Sequence, residues 1–264
     1  MAAEWADRRT VNRTALFAAF VDRPDDSTVL LDFDGTLAPM VSDPSQAVAI
    51  AGAADKLKAL GDAGLHVGVI SGRPLSFLDE VCPDVPMCVG LYGLERRVDG
   101  VVTRHPDYDQ WASVLGEALE SGHPDGVRVE MKGPSATLHY RERPDAEPAA
   151  RLFAAQLERH GLIVRDARQS IELHPPIDVN KGTAVRDLVG GCVGPVMFAG
   201  DDLGDLAAFD ALDAFRAEAR PVVKVTVGSS ESPEEMLSRA DVVVAGPEGL
   251  TALLGELLTA LNRS

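Results

Sequence analysis

Apolar residues occur along this chain in short runs, and each run ends in polar or turn-forming residues. Residues 29–31 and 65–70 form two such runs, with a helical pattern over residues 51–63 between them. A short apolar run that ends in turn residues is typical of a strand buried on both faces, as in a parallel sheet. Strand, helix and strand in this order predict a βαβ unit. A strand that runs into a glycine-rich turn is predicted over residues 87–95, and a hairpin over 97–103. Further strands are predicted over residues 195–200, 221–227 and 241–244, and helices up to about residue 21 and over 250–261.

The pattern changes between residues 98 and 179. Alternating polar and apolar residues predict short antiparallel strands over 126–132, 135–141, 162–166 and 170–174, with helices over 107–121 and 146–160. A helix followed by two strands therefore occurs twice, which predicts an α+β layer of its own. We predict a doubly wound parallel α/β core formed by residues 1–97 and 180–264, with an α+β domain inserted over residues 98–179.

Composition and charge limit the size of the core, the classes of binding partner and the cellular compartment that we expect for this chain. The 264 residues are 45% apolar, enough for a core domain with a smaller insert. The net charge of −16 argues against binding to nucleic acid or to an anionic membrane, which both need a basic surface. Three cysteines without metal-type spacing indicate reduced thiols, and residues 16–21 form too short an apolar block for a signal peptide. We expect a cytoplasmic monomer.

Carboxylates follow two of the predicted strands. Asp32 and Asp34 come directly after residues 29–31, and Asp201, Asp202 and Asp205 follow residues 195–200. Ligands of open α/β sheets bind at the carboxyl ends of the strands. Clustered carboxylates repel each other unless they share a cation or a proton, and Mg²⁺ prefers such oxygen ligands. A carboxylate can also attack phosphorus. The alternative interpretation is a pair of solvated acidic turns.

Two further polar positions lie at the ends of predicted elements. Ser71 and Gly72 follow residues 65–70, where a hydroxyl and backbone N–H groups can bind phosphate oxygens at a helix N-terminus. A serine before a helix is also a common N-cap, and that interpretation stays open. Lys181 opens a helix before residues 195–200. Most lysines are solvated, so the position of Lys181 matters only together with the other motifs.

Taken in order, these motifs resemble the haloacid dehalogenase superfamily of phosphatases. The resemblance rests on Asp32-x-Asp34-Gly35-Thr36, Ser71-Gly72, Lys181 and Gly200-Asp201-Asp202. It implies a Rossmann-like core with a cap domain inserted after the second motif. Within the superfamily the chain is most similar to trehalose-6-phosphate phosphatases, on residues 31–37, 70–73, 129–132, 139–141, 171–173, 180–182 and 200–202. It departs from that family at Tyr92-Gly93, where His-Gly is usual, and at Gly204-Asp205-Leu206, where Thr-Asp-Glu is usual.

The resemblance implies hydrolysis of trehalose 6-phosphate, with Mg²⁺ as cofactor and an aspartyl-phosphate intermediate. Asp32 would be the nucleophile and Asp34 the general acid and base. The expected metal ligands are Asp32, the backbone carbonyl of Asp34, and Asp201, with Asp202 or Asp205 as a further ligand or a partner of one. Lys181 and Ser71 would bind phosphate oxygens. The expected substrate-binding residues are Gly72, Arg73, Glu130, Lys132, Arg141 and Glu172, with His139 near the same pocket.

Other functions stay open at this point. The same chemistry could act on another glycosyl phosphate, such as glucosyl- or mannosyl-3-phosphoglycerate, because only the insert would have to differ. A non-catalytic sugar-phosphate sensor is expected to lack Asp32, Asp34 or Lys181, and all three are present. A phosphotransferase would need a second acceptor site. Without the resemblance, Glu130 and Lys132 would be interpreted as a surface ion pair.

Overall fold

The computed structural model describes residues 12–41, 44–120, 122–167 and 169–263. Its strands are β1 Thr28–Leu31, β2 His66–Ile70, β3 Met87–Gly90, β4 Glu95–Val98, β5 Val101–Arg104, β6 Arg128–Lys132, β7 Ser135–His139, β8 Ile163–Ala167, β9 Ser170–His174, β10 Val196–Gly200, β11 Val222–Gly228 and β12 Val242–Ala245. Its α-helices are α1 Arg13–Asp22, α2 Ala53–Asp62, α3 Leu75–Val81, α4 Tyr108–Leu119, α5 Glu147–Glu158, α6 Lys181–Val189, α7 Leu206–Ala217, α8 Glu234–Arg239 and α9 Gly246–Leu261.

The chain divides into two compact units. The core domain comprises Met1–Thr103 and Val179–Ser264, and the insert domain comprises Arg104–Asp178. The insert domain begins at Arg104 rather than at residue 98, because β4 pairs with β3 and β5 continues the same sheet. A hairpin that follows a core strand directly extends the core sheet, so the change in sequence pattern comes before the change of domain.

The core domain contains a sheet of eight strands in the order β12-β11-β10-β1-β2-β3-β4-β5. The six strands from β12 to β3 pair in parallel, and β4 is antiparallel to β3. The chain leaves β1 toward β2 and β3 and later returns to β10 on the other side of β1. The point between β1 and β10, where the direction of winding reverses, is where open α/β sheets bind their ligands.

Apolar side chains cover both faces of this sheet, as expected for parallel strands. All four residues of β1 are buried. Val29 and Leu31 belong to the hydrophobic cluster that includes residues of α1, α2, α3 and α9. Leu30 belongs to the cluster that includes residues of α6, α7 and α8. Each fully buried leucine or valine contributes about 1.5–3 kcal/mol, so the doubly wound arrangement follows directly from the apolar runs.

The insert domain is an antiparallel sheet in the order β6-β7-β9-β8. One face of the sheet carries Leu138, Ile171 and Leu173, which share a hydrophobic cluster with residues of α4 and α5. The other face carries polar side chains. This alternation of polar and apolar residues is the pattern that predicted the strands.

The predicted elements agree with the structure apart from their ends and two omissions. Helices α7 and α8 fall in stretches for which we predicted no element. The N-terminal helix begins at Arg13, and residues 1–11 of the predicted segment lie outside the described residues. Among the helices of the described residues, none combines the length and the apolar character that crossing a membrane requires.

Candidate active site

Asp32 lies at the central point of the core sheet. It directly follows β1, and its backbone N–H donates to the Ala199 carbonyl of β10 at 2.9 Å. This bond extends the ladder by one residue, so the side chain is held at the carboxyl end of the sheet. Asp32 is only 4% exposed. A carboxylate buried to this degree needs a charged partner or a cation.

The turn after Asp32 brings the two acidic clusters together. Gly35 has φ +78°, and a Cβ at that position would lie 2.1 Å from Oδ2 of Asp201. The turn therefore needs glycine both for its conformation and for the close approach of Asp201. The Thr36 hydroxyl donates to Oδ1 of Asp201 at 3.4 Å. The Gly-Thr pair thus fixes the position of the second cluster relative to the first.

Lys181 connects Asp32 to Asp205. Its Nζ lies 2.7 Å from Oδ1 of Asp32 and 2.6 Å from Oδ1 of Asp205, and the residue is 4% exposed. Lys181 is the first residue of α6, whose N-terminus is closed by a capping box between Asn180 and Thr183. The capping box fixes the helix start, and with it the position of the buried ammonium group.

Asp205 organises the loop that carries Asp201. Its Oδ2 accepts from the backbone N–H of Asp201 at 2.9 Å and of Asp202 at 3.2 Å, while its Oδ1 accepts from Lys181. Both oxygens of this fully buried carboxylate therefore already have donors. Asp202 is exposed, and its Oδ1 accepts from the Gly204 backbone at 2.8 Å. Each of these two predicted metal-site residues thus makes structural contacts within its own loop.

The electrostatics of this cluster suit a divalent cation. One carboxylate oxygen from each of Asp32, Asp201 and Asp205 lies within 4.8 Å of the others. Burial, with the added repulsion of Asp205 and Asp202, raises the pKa of Asp201 to about 7. Burial also raises the pKa of Asp32 and outweighs the opposing effect of Lys181. Converging oxygen donors whose ionised form is disfavoured fit a hard cation such as Mg²⁺, which would neutralise them.

Ser71 lies at the carboxyl end of β2. Its backbone N–H donates to Val89 at 2.9 Å, and its Oγ accepts from the Arg73 backbone at 3.1 Å. Helix α3 begins only at Leu75, with Pro74 at the N-cap position. Ser71 is therefore not the helix cap. Its hydroxyl proton can still be donated to a phosphate oxygen.

Arg73 pairs with the second catalytic candidate, Asp34. Its Nε and Nη2 donate to Oδ2 and Oδ1 of Asp34, each at 2.7 Å. The guanidinium lies 4.5 Å from the centre of the Phe77 ring. We predicted Arg73 as a substrate-binding residue, and the structure shows it bound to a carboxylate of the core domain.

Two residues near this loop were missed by sequence reasoning. The Glu95 carboxylate accepts from the Leu75 backbone N–H at the start of α3. A Cβ on Gly72 would lie 2.6 Å from the Tyr92 ring, so Tyr92 packs directly against that glycine. The departure from the family pattern at Tyr92 was the available signal for that residue, whereas Glu95 stands directly before Arg96 and Arg97 and nothing in the sequence marks it as buried.

The predicted residues of the insert domain lie mainly on its polar sheet face. Glu130 Oε2 is 2.7 Å from His139 Nε2 and 3.6 Å from Lys132 Nζ. The hydrogen bond from His139 is the main cause that lowers the pKa of Glu130 to about 2. Glu172 lies 3.0 Å from His174, and this hydrogen bond lowers the pKa of Glu172. Both glutamates are therefore strong acceptors at neutral pH.

Arg141, which we predicted to bind substrate, lies beyond the polar face of the insert sheet, whereas Ser135, which we did not predict, lies on it. Arg141 is exposed and follows the end of β7. Ser135 pairs with Lys132 across the β6–β7 ladder, so the two side chains lie on the same face. The Ser135 residue is 4% exposed, and its Oγ has no hydrogen-bond partner within the described residues. A buried hydroxyl without a partner is costly unless a ligand supplies one.

The structure therefore brings together the predicted residues in two groups. The core group lies at the carboxyl ends of β1, β2 and β10 and comprises Asp32, Asp34, Ser71, Gly72, Arg73, Lys181, Asp201, Asp202 and Asp205. The insert group, on the polar face of the insert sheet, comprises Glu130, Lys132 and Glu172. The core group has the carboxylates, the ammonium and the hydroxyl that phosphoryl transfer requires.

Comparison with known proteins gives a consistent result. Residues 30–243 match the family model of the trehalose-phosphatases. The chain is 33% identical over 219 residues to the trehalose-phosphate phosphatase of Mycobacterium ulcerans and 34% identical over 214 residues to that of Mycobacterium avium. These matches cover 72% and 74% of this chain, and 54% of each relative. The chain thus spans about half the length of the curated relatives it matches.

Solved structures share the fold. The crystal structure of a trehalose-6-phosphate phosphatase related protein has a TM-score of 0.73 at 24% identity, covering 90% of this chain and 100% of that one. The C-terminal domain of the Candida albicans trehalose-6-phosphate phosphatase has a TM-score of 0.68 at 22% identity, covering 94% and 97%. At these identities the similarity shows the fold alone.

Proposed function

Since the chain belongs to the trehalose-phosphatase family, we propose that it hydrolyses trehalose 6-phosphate to trehalose and phosphate. The observation that carries the proposal is the buried contact of Lys181 with Asp32, next to Asp201 and at the switch point of the sheet. A buried nucleophile candidate with an ammonium group and two further carboxylates has the parts needed for phosphoryl transfer through an enzyme-bound phosphate.

In the proposed first step, the Asp32 carboxylate attacks phosphorus and the bond from phosphorus to the sugar oxygen breaks. Lys181 holds Oδ1 of Asp32, which leaves Oδ2 to form the new bond. Asp34 gives a proton to the departing sugar oxygen. Lys181 and the Ser71 hydroxyl donate to the equatorial phosphate oxygens, where negative charge is concentrated.

In the proposed second step, water attacks phosphorus and releases the Asp32 carboxylate. Asp34, now ionised, takes a proton from that water, so the carboxyl group is restored for the next turnover. Asp205 keeps Lys181 and the loop of Asp201 in place through both steps. In this scheme Asp32 is the nucleophile, Asp34 transfers the protons, and Lys181 and Ser71 bind the phosphate oxygens.

We also propose magnesium as the cofactor. Asp32, Asp201 and the backbone carbonyl of Asp34 would hold the ion, with Asp202 and Asp205 supporting the loop that carries Asp201. Bound Mg²⁺ would neutralise charge between the carboxylates and the phosphate. The raised pKa of Asp201 supports this part of the proposal, because burial and the repulsion of Asp205 and Asp202 disfavour its charge and a bound cation would compensate for both.

For the sugar, we propose the polar face of the insert sheet as the binding surface. Glu130 and Glu172 offer ionised acceptors, Lys132 offers a donor, and Ser135 offers a buried hydroxyl without a partner. Sugar hydroxyls need such paired donors and acceptors. Gly72 would support the phosphate end of the substrate, while Arg141 stays a prediction as a sugar ligand.

We further propose that the enzyme is a cytoplasmic monomer. The three cysteines are free, which supports the cytoplasmic location.

Phosphate release from a panel of substrates tests the proposal. Trehalose 6-phosphate should be compared with glucose 6-phosphate, sucrose 6-phosphate and glucosyl-3-phosphoglycerate, each with Mg²⁺ and with chelator. We expect fast release from trehalose 6-phosphate only, and only with Mg²⁺. Faster release from another compound would keep the chemistry and reassign the sugar site. Equal release with chelator would overturn the metal assignment. No release by a folded sample would overturn the enzymatic function.

A further inference from the structure

Arg73 and Asp34 form a bidentate ion pair in the core domain. Two N–H groups of one guanidinium reach the two oxygens of one carboxylate, each at 2.7 Å. This geometry fixes the plane of the carboxylate as well as its position. We propose that Arg73 is the positioning residue that orients Asp34 for proton transfer and is not a ligand of the substrate. The inference rests on the proposed function, because it assigns Asp34 the proton-transfer role.

The guanidinium group of Arg73 packs over one aromatic ring, which packs against a second. It lies 4.5 Å from the centre of the Phe77 ring. Phe77 in turn contacts Phe33 edge to face, with ring centres 5.5 Å apart and planes at 81°. Phe33 is completely buried, and it stands between Asp32 and Asp34 in the sequence. The two carboxylates and the arginine are therefore supported by one aromatic pair.

The backbone of Arg73 is fixed as well. The N–H of Leu91 donates to the Arg73 carbonyl, and the N–H of Tyr92 donates to the Ser71 carbonyl, both at 3.0 Å. To make these bonds, Leu91 and Tyr92 adopt φ +50° and +60°. Such left-handed conformations are uncommon for residues other than glycine and occur most often at functional sites. A rigid loop is what a positioning residue requires.

The ion pair leaves acceptor positions open on both oxygens of Asp34. A carboxylate accepts about four hydrogen bonds, two at each oxygen. Arg73 occupies one at each oxygen, so a second lone pair on each remains for the sugar oxygen or for water. The pairing is therefore compatible with both proposed steps. It also restricts Asp34 to one orientation, which general acid–base catalysis depends on.

A comparison of leaving groups tests the inference. The sugar alkoxide of trehalose 6-phosphate needs a proton in order to leave, whereas the nitrophenolate of p-nitrophenyl phosphate does not. The parameter to compare is kcat/KM, which reports only steps up to formation of the phosphoenzyme. Arg73→Gln should lower kcat/KM for trehalose 6-phosphate about 10–100-fold, part of the full effect of general acid catalysis. For p-nitrophenyl phosphate we expect a change below about threefold.

Arg96 provides a matched control. It is a half-exposed arginine of the same domain whose Nη2 pairs with Oδ2 of Asp187 at 3.0 Å. Arg96→Gln should leave kcat/KM unchanged for both substrates. Arg73→Lys keeps a positive charge but loses the two-pronged geometry, so it should show the same selective loss as Arg73→Gln. Circular dichroism and the Tm identify variants that are folded.

A double-mutant cycle separates positioning from direct binding. If Arg73 acts through Asp34, Arg73→Gln should lower kcat/KM no further, within about twofold, when Asp34→Asn is already present. A full additional loss in the Asp34→Asn background would overturn the inference. An equal loss for both substrates in the single variant would also overturn it, because a phosphate ligand serves both.

Chemical rescue gives an independent readout. In Arg73→Ala, guanidinium chloride at low, non-denaturing concentration should restore part of the lost activity on trehalose 6-phosphate, because Phe77 still offers a surface for the cation. Ammonium chloride at the same concentration should not, and equal rescue by both would contradict the inference. If the wild type prefers another sugar phosphate, the proposed function fails, but the same comparisons made with that substrate still decide the role of Arg73.

Discussion

Replacing Asp201 by asparagine should stabilise the metal-free protein at alkaline pH. Burial, then repulsion by Asp205 and Asp202, raises the pKa of Asp201 from 3.8 to about 7. A carboxyl group whose pKa is higher in the folded state favours folding when protonated. Its contribution to the free energy of unfolding is complete below about pH 4 and is lost as the pH rises to about 7. The asparagine side chain has no charge to lose, and its oxygen can still accept from Thr36.

The size of the effect follows from the same pKa. Each pKa unit corresponds to about 1.4 kcal/mol, so the ionised Asp201 costs the folded protein about 4 kcal/mol above pH 7. At pH 5 the corresponding cost is about 2 kcal/mol. The free energy of unfolding of Asp201→Asn should therefore exceed that of the wild type by roughly 2–3 kcal/mol more at pH 8 than at pH 5. For a chain of this size, each kcal/mol raises the Tm by about 2–4 °C.

Urea denaturation at pH 5 and pH 8 with chelator measures this difference. Asp202→Asn is the comparison variant and should give a smaller gain, because Asp202 is exposed and adds only part of the repulsion that raises the pKa of Asp201. Added Mg²⁺ should raise the Tm of the wild type at pH 8 and leave that of Asp201→Asn unchanged. A gain in Asp201→Asn that is equal at both pH values would show that the raised pKa of Asp201 is not its cause, and so would a gain in Asp202→Asn as large as that in Asp201→Asn.

Three further outcomes are expected from the structure. Asp213→Ala should lower the free energy of unfolding by about 1–2 kcal/mol in urea titrations, with kcat unchanged. The buried ammonium group of Lys224 would lose the half-exposed carboxylate that lies 2.6 Å away. Gly35→Ala should lower kcat at least about tenfold, since φ is +78° and the new carbon would displace the Asp201 carboxylate; a fully active variant would contradict the described turn. Glu130→Gln should raise KM for trehalose 6-phosphate about tenfold, through loss of a charged acceptor, with p-nitrophenyl phosphate as the unaffected control substrate.

The sequence predicts the core sheet well, because the residues that specify each strand and helix start are neighbours along the chain. Three apolar residues before Asp32 can only be satisfied in a strand covered on both faces, and the structure buries all four residues of β1. The position of Lys181 at a helix start follows from Asn180 and Thr183, which form the capping box. Motif order then suffices to place the catalytic candidates at one edge of the sheet.

The partners of these residues depend on contacts between distant parts of the chain. Arg73 and Asp34 are 39 residues apart, so nothing local indicates that the arginine binds a carboxylate of its own domain. Lys181 and Asp205 are 24 residues apart. Because Asp205 binds Lys181, its carboxylate holds that lysine in place and is not a further open metal ligand. The insert boundary shifted for a similar reason, since the pairing of β4 with β3 is a tertiary contact.

Phosphate release from trehalose 6-phosphate by the wild type and by Asp32→Asn tests the central claim most directly. Both proteins should be folded, since asparagine has the same shape, and folding should be verified by circular dichroism. The wild type should release phosphate with Mg²⁺, and mixing it with substrate and quenching with acid should give Asp32 carrying a phosphoryl group. Asp32→Asn should release none. Normal phosphate release by Asp32→Asn would contradict the account.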